Sequence, residues 1–321
     1  MKTSISALLA ACVLMATAPP VSAQAAYPSK PVKVIVPAPP GTGPDVIMRL
    51  YADQLSRRLG QQFTVENRLG ASGNIAAEAA AKSPADGYTL FYAFNQIPTM
   101  NPHLFTKLGY DMQKDMVPIS MTLKTGYVLL ANRNFEANSL GDVIALAKKN
   151  PGNVVFASYG AGTASHLAFE LIEDQTQTQF LHVPYKQAVV TDVMGGQVPM
   201  VLEPFTSAIP LAAHEKLKAL AVTTSKRLGA LPNVPAMSET LPGFELVGWQ
   251  GVWAPTGTPP AVLARLQSEF ASITQLPDMQ KRIRDLASEP VGSTSQEMAN
   301  AISTEYARWG KIIKAKNIRL D

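Results

Sequence analysis

Short apolar runs alternate along the chain with segments in which apolar residues recur every three or four positions. The run at 32–36 is β-branched apart from one lysine, which is typical of a strand. Segment 47–59 repeats its apolar residues at helical spacing, with charged residues on the opposite face. The same patterns predict strands at 62–66 and 88–93 and a helix at 75–82. This β-α-β-α-β order predicts a mostly parallel sheet flanked by helices.

The second half of the chain repeats this alternation. Strands are predicted at 127–132, 154–157, 180–183, 199–203 and 217–222. From Pro259 onward the pattern is mainly helical, with Ser295 as the predicted N-cap of the last long helix. The predicted division is a signal peptide at 1–23, a first lobe formed by 27–126 plus 249–321, and a second lobe formed by 127–248.

The first residues predict export. Lys2 precedes an apolar stretch at 5–18 that is shorter than a membrane-spanning helix, and a small-x-small site ends at Ala23. Cleavage after Ala23 would leave a periplasmic chain without cysteine, which excludes thiolate zinc sites and thiol catalysis. A lipoprotein-like box ends at Cys12, and lipidation of that residue stays open as an alternative.

Charge and composition exclude several classes of function. Loss of Lys2 leaves 27 basic against 24 acidic side chains, and no basic run alternates with aromatics, so nucleic acid is not an expected partner. The histidines lie on separate predicted elements, at positions 103, 166, 182 and 214. We therefore expect no metal and no cofactor. A Gly-x-Ser-x-Gly nucleophile motif is missing from the mature chain, so an exported hydrolase is a remote alternative.

Two glycine-rich loops, 37–45 and 158–166, each follow an apolar strand and precede a helix. Such loops lie at the carboxyl ends of strands, where α/β sheets bind ligands, and a helix start directs free N–H groups at an anion. Neither loop contains lysine or arginine, which argues against a nucleotide phosphate loop. The residues that would supply backbone approach and hydroxyl donors are Thr42, Gly43, Ser158, Gly160, Gly162, Thr163 and Ser165. The alternative is that both loops are only tight connections.

A series of short motifs extends over nearly the whole mature chain. They include 27–31, 65–68, 73–74, 86–89, 101–103, 160–167, 182–186, 195–198, 217–223, 254–259 and 309–311. In order and spacing the chain resembles the Bug family, the extracytoplasmic receptors of tripartite tricarboxylate transporters. The resemblance implies a two-lobed type II periplasmic-binding fold with a ligand cleft and a hinge.

The resemblance also implies a function. Family ligands are mostly small carboxylates, held by the two glycine-rich loops partly through backbone amides and water, and delivered to membrane transporter subunits. We expect a non-enzymatic, monomeric binding protein. A sensor that delivers its signal to a membrane kinase uses the same cleft and remains an alternative.

Several positions depart from the family pattern, so the ligand cannot be transferred from a relative. The first loop reads Gly-Thr-Gly-Pro-Asp at 41–45, Ala38 replaces a frequent aromatic, the segment 187–190 is shorter, and Glu203-Pro204 replaces an Asp-Asn pair. Together with nearby aromatics, these changes favour a dicarboxylate or an aromatic carboxylate; a tricarboxylate and an acidic amino acid stay open. The predicted ligand-binding residues are Ala38, Pro39, Gly41, Thr42, Gly43, Asp45, Phe94, Asn95, Ser158, Tyr159, Gly160, Ala161, Gly162, Thr163, His166, Glu203 and Phe205.

Overall fold

The computed structural model describes residues 27–185 and 189–320. The predicted signal peptide, Cys12 and part of the shortened segment after Tyr185 lie outside the described residues. The strands are β1 (Val32–Val36), β2 (Phe63–Asn67), β3 (Thr89–Phe94), β4 (Met116–Thr125), β5 (Tyr127–Asn132), β6 (Val154–Ser158), β7 (Phe180–Pro184), β8 (Met200–Pro204), β9 (Leu217–Val222), β10 (Gly248–Pro255) and β11 (Ser288–Pro290).

The α-helices alternate with these strands, and short 3-10 turns lie at Ala71–Gly73 and Met237–Glu239. The helices are α1 (Gly43–Leu59), α2 (Asn74–Ala81), α3 (Gln96–Thr99), α4 (Asn101–Leu104), α5 (Met112–Asp115), α6 (Leu140–Lys149), α7 (Ala164–Thr176), α8 (Val189–Gly195), α9 (Phe205–Ala212), α10 (Pro260–Thr274), α11 (Pro277–Asp285) and α12 (Ser295–Ala315). Within the described ranges, no helix combines the length and the apolar character needed to cross a membrane.

The strands form two sheets, which confirms the predicted α/β class. The first sheet has the order β11-β4-β10-β3-β1-β2, and the second has the order β7-β6-β8-β5-β9. Strand β1 pairs in parallel with β2 and β3, as the alternation predicts. Strand β10 pairs antiparallel with both β3 and β4, and β5 pairs antiparallel with β8 and β9. Both sheets are therefore mixed, and the prediction of mostly parallel sheets is wrong.

Strands β4 and β10 are the main elements that the sequence pattern does not predict. Strand β4 contains Pro118, and β10 contains Gly248, Gly251 and Pro255, residues that weaken a strand pattern. Register shifts in the β4–β10 pair accommodate this irregularity. The N-cap of α12 is also one residue earlier than predicted, because the Thr294 side chain accepts the Glu297 amide in a capping box.

Helix α12 packs on the cores of both sheets. Its first half contributes Met298 and Ile302 to a cluster with Trp253 of the first sheet. Its second half contributes Trp309 and Ile313 to a cluster that contains strands of the second sheet. The C-terminal helix therefore connects the two halves of the molecule. The exact division into lobes stays a prediction.

The chain passes between the sheets at Gly126, which separates β4 from β5. Its return passage runs from β9 to β10, where the Leu246 amide donates to the Thr223 carbonyl at 3.0 Å. The Thr223 hydroxyl accepts the Tyr127 amide at 2.9 Å, which ties the two passages together. Both passages therefore lie beside the space between the sheets.

Candidate functional site

A cavity of about 330 Å³ lies between the two sheets. Its lining consists of Gly43, Pro44, Ile47, Phe94, Asn95, Gln96, Met100, Leu123, Thr125, Tyr127, Ala164, Pro204, Thr206, Leu246, Val247, Gly248, Trp249, Gln250, Leu286 and Ser288. Helices α1, α7 and α9 each contribute residues of their first turn. None of these lining residues carries a charged side chain. An anion in this cavity would therefore interact with backbone N–H groups and neutral side-chain donors, since no arginine or lysine lines it.

The first glycine-rich loop brings the start of α1 to the cavity. Gly43 and Pro44, the first two residues of the helix, line the cavity. Thr42 occupies the N-cap position with an extended backbone, but its hydroxyl donates to the Pro39 carbonyl at 2.7 Å instead of capping the helix. The loop is thus closed by its own hydroxyl, and the first helical amides have no side-chain cap.

The buried carboxylate of Asp45 anchors the first glycine-rich loop. Its carboxylate is 2 % exposed and accepts the Gly41 amide and the Asn67 side-chain amide, each at 2.8 Å. Arg49, one turn along α1, donates to both carboxylate oxygens. Burial acts to raise the pKa of Asp45, but the hydrogen bonds from Arg49, Gly41 and Asn67 outweigh it and lower the pKa. Asp45 is therefore an ionised anchor of the loop.

We expect the substitution D45N to destabilise the fold by about 2 kcal/mol at pH 7, because buried hydrogen bonds to a charged group are lost. The folded-state pKa is lowered, so the advantage of the wild type is present above pH ~4 and disappears as the pH falls through the folded-state pKa. Urea unfolding at pH 7 and pH 3 measures both effects. D53N is the matched control, since Asp53 also pairs with an arginine one turn along α1 but is exposed. Equal stability of the two variants at pH 7 would contradict the anchoring role.

The second glycine-rich loop brings the start of α7 to the opposite side of the cavity. Gly160 and Gly162 have positive φ angles of 121° and 73°. Thr163 is the N-cap residue, and its hydroxyl donates to the Gly160 carbonyl at 2.7 Å. The Gly162 amide donates to Nδ1 of His166 at 3.0 Å. Ala164, the first residue of α7, lines the cavity.

A serine–histidine contact lies behind this loop. The Oγ atom of Ser158 is 2.6 Å from Nε2 of His182, and it also accepts the Gly160 amide at 3.1 Å. Ser158 is completely buried, so a substrate carbonyl cannot approach its hydroxyl. Burial, followed by the neighbouring His166, lowers the pKa of His182 to about 4. The contact stabilises the loop and lacks the exposed nucleophile that hydrolysis needs.

The wall contributed by the first sheet contains a buried carboxylate that no local motif reveals. Asn95 and Trp249 line the cavity, and both donate to Glu305 of α12, at 2.9 Å and 2.7 Å. Burial raises the pKa of Glu305, while the hydrogen bonds from Asn95 and Trp249 act in the opposite direction. Helix α12 thereby fixes two side chains of the cavity wall.

The predicted site residues fall into two groups. Gly43, Phe94 and Asn95 line the cavity. The others are loop or neighbouring residues outside that lining: Ala38, Pro39, Gly41, Thr42, Asp45, Ser158, Tyr159, Gly160, Ala161, Gly162, Thr163, His166, Glu203 and Phe205. Their part in ligand contact stays a prediction. The β10 wall and the β4–β5 passage, which supply much of the lining, are missing from the predicted set.

Glu203 and Phe205, two of the predicted ligand-binding residues, contact other protein groups instead of lining the cavity. The Glu203 carboxylate is buried and accepts hydrogen bonds from the hydroxyls of Tyr159 and Ser207. Burial raises its pKa, although these hydrogen bonds oppose the effect. The Phe205 ring is 2 % exposed and packs against Gly126, so it fills the passage between the sheets rather than the cavity.

Comparison with known proteins identifies the family. The family model described as "Tripartite tricarboxylate transporter family receptor" matches residues 28–318. The chain belongs to this receptor family. The receptor is 34 % identical over 307 residues to the protein BugT of Bordetella pertussis, covering 94 % of each chain. It is 33 % identical over 292 residues to a Pseudomonas sp. protein from the tcbD–tcbE intergenic region, covering 90 % of this chain and 87 % of that one. The predicted resemblance to the Bug family is thus confirmed.

Solved structures of similar proteins share the fold of this receptor. Rpa4515 of R. palustris with adipate has a TM-score of 0.78 at 32 % identity, covering 92 % of this chain and all of that one. MatC of Rhodopseudomonas palustris with malate has a TM-score of 0.74 at 28 % identity, covering 89 % of this chain and all of that one. The family match and these structures confirm the predicted function class, a solute-binding receptor.

Proposed function

We propose that this receptor captures a small carboxylate in the cavity between its two sheets, with one carboxylate group between the starts of α1 and α7. The observation that carries the proposal is the convergence of two long helices, of 17 and 13 residues, on a cavity without charged lining. Each helix start favours an anion by roughly 0.3–1 kcal/mol, and more when partly buried. Gly43 and Ala164 allow a ligand to approach the backbone closely at these two starts.

The rest of the cavity suits a ligand of a few carbon atoms. Its volume of about 330 Å³ lies near the lower end of ligand pockets, which run from about 300 Å³ upward. Apolar and aromatic residues such as Phe94 and Trp249 would cover the ligand's hydrocarbon body. The start of α9, which contributes Thr206, offers a third helix terminus to a second carboxylate. Together with the relatives that hold adipate and malate, this favours a dicarboxylate, with an aromatic carboxylate as the alternative.

Calorimetric titration with matched ligands tests this proposal. We expect saturable binding of an aliphatic dicarboxylate of four to six carbons, and at least tenfold weaker binding of its diamide, because the amide retains the shape but removes the charge. An aromatic carboxylate in the same titration decides between the two ligand classes. Equal affinity for dicarboxylate and diamide would exclude recognition at the helix termini. A full absence of binding with all carboxylates would exclude the function itself.

The physiological role follows from the family. We propose that the mature receptor works in the periplasm after cleavage at Ala23, and that it delivers ligand to membrane subunits of a tripartite transporter without turning it over. A solved relative, BugD, is described as a periplasmic binding protein, at 28 % identity and a TM-score of 0.73. N-terminal sequencing of protein from the periplasmic fraction tests the cleavage site, with Gln24 as the expected first residue.

A further inference from the structure

A series of polar contacts links the end of α12 to the second glycine-rich loop. Lys316, just after α12, contacts Glu170 of α7 at 2.7 Å. The other carboxylate oxygen of Glu170 lies 3.2 Å from Nε2 of His166, one turn earlier on the same helix. Nδ1 of His166 then accepts the Gly162 amide at 3.0 Å. These contacts end at Gly162, two residues before Ala164, which begins α7 and lines the cavity.

These contacts require one tautomer of the imidazole. Since the Gly162 amide is a donor, Nδ1 of His166 must be unprotonated, and the proton must reside on Nε2. The Glu170 carboxylate has only acceptor atoms, so it stabilises that Nε2–H form. Burial acts to raise the pKa of Glu170, but the neighbouring His166 and Lys316 outweigh it and lower the pKa, which keeps the carboxylate ionised.

The imidazole of His166 is also enclosed by other rings. It stacks on His182 with a centroid distance of 4.0 Å and an interplanar angle of 16°. His182 in turn contacts Ser158, which accepts the Gly160 amide. His166 is 6 % exposed, so the ring cannot rotate freely to exchange its two nitrogen atoms. The tautomer is therefore the remaining variable that decides whether the Gly162 amide has an acceptor.

We propose that Glu170, supported by Lys316, is a positioning residue that fixes the Nε2–H tautomer of His166 and thereby holds the Gly160–Thr163 loop in the geometry that binds the carboxylate. The inference rests on the proposed function, because it explains how one of the two anion-binding helix starts is held. Glu170 does not line the cavity. Its effect on binding would pass through His166 and the loop.

Two substitutions of Glu170 separate positioning from simple stabilisation. E170L removes the acceptor for Nε2–H, and we expect mixed tautomers of His166 together with roughly tenfold weaker binding of the dicarboxylate. E170Q retains an acceptor oxygen, and we expect it to restore both the tautomer and an affinity within about twofold of the wild type. The ¹⁵N chemical shifts of the His166 ring report the tautomer in ligand-free protein, and calorimetry reports the affinity.

E173Q is the matched control, because Glu173 also contacts Lys316 but lies one turn farther along α7 than Glu170, seven residues from His166. We expect it to leave the tautomer and the affinity unchanged. The proposal is overturned if E170L retains the wild-type tautomer and affinity, or if wild-type His166 carries its proton on Nδ1. The second measurement needs neither ligand nor variant, so it stays decisive if E170L does not fold. It also separates failure of this inference from failure of carboxylate binding.

Discussion

The substitution G162A is expected to abolish most ligand binding and to destabilise the fold. Gly162 has a φ of +73°, where a side chain costs about 1–2 kcal/mol. A Cβ atom there would also lie 2.9 Å from both terminal methyl groups of Leu104 and 3.2 Å from Cδ1 of Leu320. Leu104 is fully buried, so relief of this contact requires its side chain to repack or the loop to move, at a further cost of about 1–3 kcal/mol.

Gly152 provides a control with the same backbone angle. It also has a φ of +73°, but a Cβ atom there would meet no atom within 4 Å. G152A therefore measures the cost of the left-handed backbone alone, and the difference in unfolding free energy between the two variants isolates the contact with Leu104. We expect dicarboxylate affinity to fall more than about tenfold in G162A and to stay unchanged in G152A, because only Gly162 precedes the helix start at Ala164. Equal effects of both variants would show that the packing of Gly162 is irrelevant to the site.

The sequence pattern is sufficient for the elements that bring the two helix starts together. The β-branched run at 32–36 and the helical spacing at 47–59 predict β1 and α1 within a few residues, because period and residue type agree there. The glycine positions of the second loop similarly predict its place between β6 and α7. The strand β10 is different, since its glycines lie where the chain approaches β4 and α12 closely, and together with Pro255 they remove the pattern that identifies a strand.

The hydroxyl groups show a second limit of sequence reasoning. Thr42, Ser158 and Thr163 have the residue type and the position of ligand donors. In the structure the hydroxyls of Thr42 and Thr163 donate to carbonyls of their own loops, and that of Ser158 contacts His182 of β7. Ser and Thr frequently satisfy local backbone groups in this way, and composition does not distinguish the two uses. Anion recognition would then fall to backbone amides, whose partners a sequence does not specify.

The Glu305 contacts show why part of the wall cannot be predicted at all. Its partners Asn95 and Trp249 are 210 and 56 positions away along the chain. Within its own helix Glu305 follows the pattern of an ordinary polar position. Only the packing of α12 across both sheets brings it behind the cavity, so the signal is absent from any local motif.

The substitution G248L is expected to remove ligand binding while the protein stays folded. Gly248 lines the cavity at the start of β10, and its backbone is outside the left-handed region, so a side chain there causes no backbone strain. A Cβ atom would lie 3.2 Å from the Tyr127 hydroxyl and 3.4 Å from Cγ2 of Thr125, both of which belong to cavity-lining residues. A leucine would therefore place its branched end in the space that the ligand occupies.

We expect affinity for the dicarboxylate to fall more than about a hundredfold in G248L, with a smaller loss in G248A, because the obstruction grows with side-chain volume. Calorimetry measures the affinity, and thermal unfolding measures whether the fold is retained. G229L is the control, since Gly229 also has an ordinary backbone but has open space around it and lies in an exposed loop away from the cavity. Undiminished binding in a folded G248L protein would move the ligand site out of the space between the sheets, since a leucine at the cavity wall would occupy part of the cavity of about 330 Å³.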